Sequence, residues 1–360
     1  MLRALYLAFA LCLACTPSAD KAPENMDDAP PAMVDGSLAE DADRTLWPKD
    51  SGASLDAMSP SDDGHGGDGD VDATLALDAG FAPDAVVMRD SAVMPDANPA
   101  LDAAQASMGA IVADPGAELA LLFVGNSYTN ANRLDRVVCD LAEQTGRFES
   151  VQCEKVTAGG YRLIQHAADA ASGQRLGQLL DPQNPMRPAW DAVVLQEQSQ
   201  IPGFPENHEA LLGFRQGVVD LDARIAAVGA ETALFMTWGR RDGDAHNQGL
   251  YPDFLTMQRR LQAGYTTAAA AATTPERRVH VIPVGLGWQR TYERDAESDF
   301  RALYSGDGSH PARPGTYLSA LIILNHLIGL DLDRVADPEN GPAPALAGRL
   351  REDAHEVARE

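Results

Sequence analysis

From about residue 117 onward, short apolar runs alternate with longer stretches of helical periodicity, and this alternation limits the chain to few folds. Strand candidates are 119–124, 151–157, 192–195, 232–237 and 279–284. The first, LALLFV, is apolar throughout, the pattern of a parallel strand buried on both faces. Helix candidates between them cover about 134–144, 163–180, 209–228 and 254–271, with a last one over about 314–330. The apolar run of that last helix, LSALIILNHLIGL, is too short and too interrupted to cross a bilayer. Alternating β and α units of this size predict a five-stranded parallel sheet with helices on both faces, an α/β fold. Right-handed crossovers leave few topologies for it.

The first 116 residues differ in kind. Arg3, the apolar stretch 4–13 and the small Ala14 form the pattern of an export signal. Cys15, directly after Ala14, resembles the lipidation cysteine of bacterial lipoproteins, although Cys12 stands where that motif usually has Leu. The expectation is an exported envelope protein held to a membrane by an N-terminal lipid anchor. Residues 16–116 mix Ala, Asp, Pro, Gly and Ser and are nearly free of aromatics. They hold 21 acidic against 4 basic side chains, about two thirds of the formal net charge of -25. Such a composition predicts a disordered, self-repelling acidic tether. The DDGHGGDGDVD run at 62–72 does not match the EF-hand pattern and reads as part of that linker. The acidic balance argues against a nucleic-acid partner. Residues 336–360 form a C-terminal tail with the composition of a helix.

Two places in the folded part carry chemistry. Gly125-Asn126-Ser127-Tyr128-Thr129 follows the first strand, so Ser127 sits at the mouth of the sheet, where open α/β sheets bind ligands. The plain alternative is a turn serine capping a helix. Asp307-Gly308-Ser309-His310-Pro311 supplies a carboxylate and an imidazole three residues apart. Ser127 as nucleophile, His310 as base and Asp307 as its orienting acid make a candidate hydrolytic triad. The pattern is not the α/β-hydrolase elbow, because Thr129 stands at its final glycine. Cys139, on the helix after the serine, and Cys153, on the next strand, are candidates for a disulfide in an exported chain. Neither has zinc-ligand spacing. His166, His208, His246 and His326 show no spacing that implies a metal and read as surface or core histidines.

GNSYT near one end of the domain and DGSHP near the other resemble blocks of the SGNH (GDSL) hydrolases, more narrowly a bacterial branch with G-N-S in the first block. The resemblance spans essentially the whole folded part. It implies a flavodoxin-like, three-layer α/β/α fold and a serine esterase that needs no cofactor or metal. It also implies an oxyanion hole built from the Ser127 amide, the amide of Gly160 (or its neighbour Gly159) and a side-chain amide after the third strand. The family pattern there is G-x-N-D. This chain has Gln196-Glu197-Gln198-Ser199, so Gln198 takes the donor's place, with Gln196 as the alternative. Trp238 and Trp288 follow the fourth and fifth strands and are candidates to stack on a sugar; Arg240 or Arg241 is a candidate to hold a carboxylate.

The resemblance therefore points to an ester on an acylated carbohydrate, an O-acetyl or other short acyl group, as the substrate. Two rivals stand beside it. One is a lipase, lysophospholipase or thioesterase of the same fold. The other is a glycan-binding module that kept the fold and lost the reaction.

Overall fold

A computed structural model of the chain describes residues 110–112, 116–335, 337 and 341–358. The signal segment, Cys15 and the acidic stretch up to 109 lie outside the described residues. Five strands, β1 (Glu118–Gly125), β2 (Ser150–Thr157), β3 (Ala192–Leu195), β4 (Glu231–Phe235) and β5 (Val279–Ile282), form one sheet in the order β2-β1-β3-β4-β5. Every pairing is parallel. The chain therefore reverses its direction of winding between β1 and β3, the kind of switch point outside which ligands bind in such sheets.

β1 shows why this sheet forms. Successive side chains point to opposite faces, and both faces are covered. Leu119, Leu121 and Phe123 enter one core cluster, while Ala120, Leu122 and Val124 enter the other. Burying a Leu, Val or Phe contributes about 2 kcal/mol, so this run would be costly anywhere but a central strand. The first face carries α2 (Leu134–Gln144), α7 (Val284–Arg294), α9 (Arg313–Ile328) and α10 (Pro344–Val357). The second carries α3 (Leu163–Ala171), α5 (Glu209–Ala227) and part of α6 (Phe254–Ala272). On α2, the buried Leu134, Val138, Leu141 and Ala142 follow helical spacing. α9 is buried nearly all round, which explains its apolar run. Among the described residues no helix is long and apolar enough to cross a membrane.

Four elements differ from the sequence expectation. The predicted helix 163–180 is two helices, because Gly173, at φ +76°, separates α3 from the short α4 (Arg175–Leu179). The helix α7 begins directly after β5, in a stretch whose Gly285 and Gly287 weaken any helical reading. The predicted tail contains α10, whose Asp353 accepts hydrogen bonds from Thr291 and Arg294 of α7. Finally, Ile111 and Val112, within the stretch read as spacer, donate their amides to the carbonyls of His326 and Leu327. Those are carbonyls near the end of α9, where helix acceptors otherwise lack partners.

Cys139 of α2 and Cys153 of β2 are joined in a disulfide, with Cα atoms 6.0 Å apart. The bridge pins the helix that follows Ser127 to the sheet. Closing a loop of this length is worth about 3 kcal/mol. Replacing both cysteines by serine is expected to lower Tm by roughly 5–10 °C, measured by thermal unfolding of the oxidised wild type beside the variant.

Candidate active site

The five residues after β1 each have a physical task. Gly125 sits so close to its surroundings that a Cβ would lie 2.5 Å from Thr129 Oγ1 and 2.6 Å from Gln196 Oε1. Asn126 caps the single turn α1 (Ser127–Asn130), its Oδ1 accepting from the Tyr128 amide at 3.1 Å. Its Nδ2 donates to the Tyr161 carbonyl at 2.9 Å, tying the turn to the loop after β2. An ionised aspartate could not make that second bond, so the amide is what lets this side chain both cap the turn and tie it to the next loop. Thr129 Oγ1 donates to Gln196 Oε1 at 2.8 Å.

Ser127 Oγ lies 2.8 Å from His310 Nε2, and His310 Nδ1 lies 2.6 Å from Asp307 Oδ2. The two ends of the domain, 183 residues apart in sequence, thus meet in one hydrogen-bonded line. With the Nδ1 proton given to the carboxylate, Nε2 is left to accept from the serine hydroxyl. The other Asp307 oxygen accepts from the Ser309 and His310 amides and from the Ser305 hydroxyl. Partial burial opposes ionisation of Asp307, but these bonds, that from His310 foremost, outweigh it and hold the carboxyl well below the usual carboxylate range. Gly308, at φ +65°, closes the turn, and its carbonyl accepts from the Arg241 amide at 2.9 Å. The arrangement can take a proton from Ser127 and hold the resulting imidazolium, which is what acyl transfer asks of a base.

An aromatic column stands behind this loop. Tyr128 stacks on Trp238 at 4.9 Å, and Trp238 stacks on Trp288 at 3.9 Å. The Tyr128 hydroxyl bonds Ser309 Oγ at 2.6 Å, and Trp238 Nε1 donates to the Ser309 carbonyl at 3.1 Å. Burial keeps the Tyr128 phenol protonated, its pKa raised. Trp238 and Trp288, expected to stack on a sugar, are instead 1% and 0% exposed and carry the histidine loop from below. Trp288 lies within α7 and packs on α9, its Nε1 donating to Ser319 Oγ at 3.4 Å, and Trp238 is stacked between it and Tyr128. The arginines also have internal partners. Arg240 pairs with the buried Asp244 at 2.7 Å, and Arg241 with Asp242.

The oxyanion candidates lie around the same point of the sheet. Gly160, at φ +68°, is exposed in the turn after β2, and neither it nor Gly159 has a neighbour within 4 Å of a hypothetical Cβ. Gln198 is half-buried; its Oε1 accepts from the Gln200 amide, and its Nε2 has no hydrogen-bond partner among the described residues. Gln196 is fully buried and fully used. Its Oε1 accepts from Asn126 N and Thr129, and its Nε2 donates to the Glu197 carbonyl. Of the two glutamines, Gln198 is therefore the one with a free donor.

One histidine read as a surface or core residue proves to be a core one beside the site, and one glutamate there went unrecognised in the sequence. His166, 1% exposed, has Nε2 2.8 Å from the Gly125 carbonyl, and burial lowers its pKa, so it donates there as the neutral ring. Only its place near the start of α3 marked it. Glu197 is 0% exposed, and its oxygens accept from the Leu163 amide at 3.0 Å and the Gln198 amide at 2.6 Å. It supplies from another strand the acceptor that Arg162, at the start of α3, does not. The other histidines are structural. His208 caps α5 and His326 bonds the Ile322 carbonyl, while His246 is exposed beside Asp244. Among the described residues no group of three or more His, Cys, Asp or Glu is placed to hold a metal ion.

No protein-family model and no curated protein matches the chain. Among solved structures it is similar to a DUF4886 family protein from Bacteroides uniformis, at 16% identity over 67% of this chain and 94% of that one, with a TM-score of 0.54. That likeness is one of fold. A protein from Slackia heliotrinireducens, provisionally assigned to the SGNH hydrolases, is similar at 25% identity over 58% and 99% of the two chains, TM-score 0.45. An acetylxylan esterase from Geobacillus stearothermophilus, solved as a catalytic mutant, is similar at 12% over 64% and 99%, TM-score 0.42.

Burial pushes the Glu197 carboxyl up to about 7, against the opposing pull of its two backbone hydrogen bonds. Between the unfolded-state value near 4.3 and that value, the native state keeps a proton that the unfolded chain has released. Stability therefore falls as pH rises through this window, on the order of 3–4 kcal/mol in all. Urea unfolding of wild type and Glu197→Gln at pH 4.5, 5.5, 6.5 and 7.5 () is expected to show that slope in the wild type and a flatter one in the variant.

Proposed function

We propose that this chain is a serine ester hydrolase acting on a short acyl ester, an O-acetyl group of a carbohydrate in the first place. The observation that carries the reading is the hydrogen-bonded line Ser127–His310–Asp307 at the switch point of the sheet. His310 Nε2 takes the hydroxyl proton as Ser127 Oγ attacks the ester carbonyl carbon. Asp307 holds the imidazolium through Nδ1. The Ser127 and Gly160 amides, with Gln198 Nε2, receive the negative charge on the tetrahedral oxygen. His310 then gives its proton to the departing sugar hydroxyl as the C–O bond breaks, leaving an acyl-serine. Water, deprotonated by the same nitrogen, cleaves that ester and restores Ser127.

The short-acyl part has its own support. The large apolar side chains exposed among the described residues, Met186, Leu212 and Val219, belong to none of the segments that carry Ser127, Gly160, Gln198 and His310. A long acyl chain asks for a wide apolar groove beside the nucleophile. The carbohydrate part rests on the motif resemblance, because the two tryptophans expected at the rim are buried.

We further propose, from the N-terminal segment alone, an exported and lipid-anchored protein whose acidic stretch holds the hydrolase away from the membrane. Its support is the signal-like 1–14 stretch and the placement of Cys15.

A fluorophosphonate probe is expected to label the full chain at Ser127, and p-nitrophenyl acetate to be hydrolysed. Ser127→Ala and His310→Ala should each lower kcat by roughly 10⁴-fold or more. Absence of both label and turnover in folded protein would replace the hydrolase by the glycan-binding reading.

A further inference from the structure

A groove of about 740 Å³ runs between α2 and α9, the helix that follows the His310 loop. Its walls include Asn132, Arg133, Arg136, Asp140, Arg313 and Thr316. Three arginines thus line one concavity on a chain whose formal net charge is -25. Arg136 is paired with Asp140 at 3.2 Å. Arg133 and Arg313 are exposed and have no ion pair among the described residues. Among the described residues the groove therefore presents two guanidinium groups without a carboxylate partner.

The backbone gives an independent reason to regard Arg133 as placed. Asn132 and Arg133 lie in the left-handed region, at φ 50° and 57°. Asparagine accepts that conformation readily, whereas arginine does so only against a steric preference that glycine would relieve. A long cation at this position, where glycine is the easier residue, points to use of the side chain. The same turn is coupled to the histidine loop. Asn132 Nδ2 donates to the Pro311 carbonyl and to Thr316 Oγ1, both at 2.9 Å, and Pro311 directly follows His310. The groove wall and the loop that carries the base are thereby one hydrogen-bonded unit.

We infer that this groove is a subsite for an acidic sugar residue, carboxylated or sulfated, of the ester substrate. Guanidinium forks match the planar oxygens of a carboxylate and the oxygens of a sulfate. Asn132 Nδ2 spends both its protons on Pro311 and Thr316, so the guanidinium groups are what a ligand would meet, with Val137, Leu141 and Tyr317 lining the groove beside them. The substrate role rests on the ester-hydrolase reading; the acidic-sugar site does not. The substrate class becomes an acylated acidic glycan rather than a neutral one, with the acyl group at Ser127 and a neighbouring anionic sugar between α2 and α9.

The test is calorimetric titration of the full chain carrying Ser127→Ala with trigalacturonate, a sulfated carrageenan tetrasaccharide and neutral xylotriose. Both acids, or one of them, should bind and xylotriose should not, and added NaCl should weaken the binding. The tighter acid identifies the anion. Arg133→Asn with Arg313→Gln should lower affinity by roughly tenfold or more. Asparagine is chosen at 133 because it tolerates the left-handed backbone, and Arg313→Gln alone serves if the pair does not fold. Equal binding of xylotriose, no binding of either acid, or an affinity indifferent to both salt and the substitutions would overturn the inference. Wild-type turnover of p-nitrophenyl acetate is read in parallel. Turnover without acid binding removes the subsite alone, whereas acid binding without turnover keeps the subsite and removes the hydrolase.

Discussion

The site depends on one buried amide. Gln196, at the end of β3, accepts the Asn126 amide and the Thr129 hydroxyl with a single oxygen, and Gly125 has no side chain because that oxygen occupies the space. The seam between β1 and β3 is the switch point of the sheet, where neighbouring helices diverge and a cleft opens. A seam without Gln196 would leave a buried N–H and a buried hydroxyl unpaired, at about 1–3 kcal/mol each. With it, the turn holding Ser127 cannot drift relative to the third strand. From the far side, His166 fixes the Gly125 carbonyl. The turn that carries Ser127 is thus held from both sides.

The second partner comes from the far end of the domain and needs its own support. Tyr128 provides it from the residue next to the serine. Its ring packs edge-on against His310 at 5.2 Å, while its hydroxyl and the Trp238 indole both hold Ser309. One side chain therefore couples the serine turn to the D-x-x-H loop. The tryptophans under it contribute burial and stacking rather than recognition, since an aromatic closed off from solvent has no face to offer a ligand.

Much of this was legible in the sequence, and the failures have identifiable causes. The strands were legible because central parallel strands are apolar on both faces, a pattern that survives without context. Ser127 was legible from its place directly after a strand, and Asp307 and His310 from the three-residue spacing between them, although the 183 residues that separate Ser127 from His310 carry no local signal of their meeting. Trp238 and Trp288 were misread because sequence places them after a strand but does not give the direction in which the chain turns there. The helix 284–294 was hidden by Gly285 and Gly287, whose low intrinsic propensity is overridden by close packing, of Gly285 against the Thr237 carbonyl and Gln258 and of Gly287 against Leu318 and Ile322 of α9. Glu197 was hidden because burial of a carboxylate is a property of the whole sheet edge, not of its neighbours in sequence.

The departures at the third strand follow from the same geometry. A block of G-x-N-D type has one short amide for the oxyanion. In this chain the two glutamines after β3 differ in setting: Gln196 turns inward and locks the β1–β3 seam, while Gln198, the proposed oxyanion donor, keeps an unpaired side-chain amide among the described residues. Glu197 between them caps α3 and takes the Gln198 amide, which fixes the backbone from which Gln198 projects. The extra methylene of a glutamine would loosen a donor on a free loop, because each added rotor is ordered at an entropic cost. Anchoring the backbone on either side of Gln198, by the buried Glu197 and by the Gln200 amide on its own Oε1, offsets that looseness. The proposed donor and the buried glutamate therefore belong to one structural unit: without Glu197 the backbone that presents Gln198 would lose its anchor.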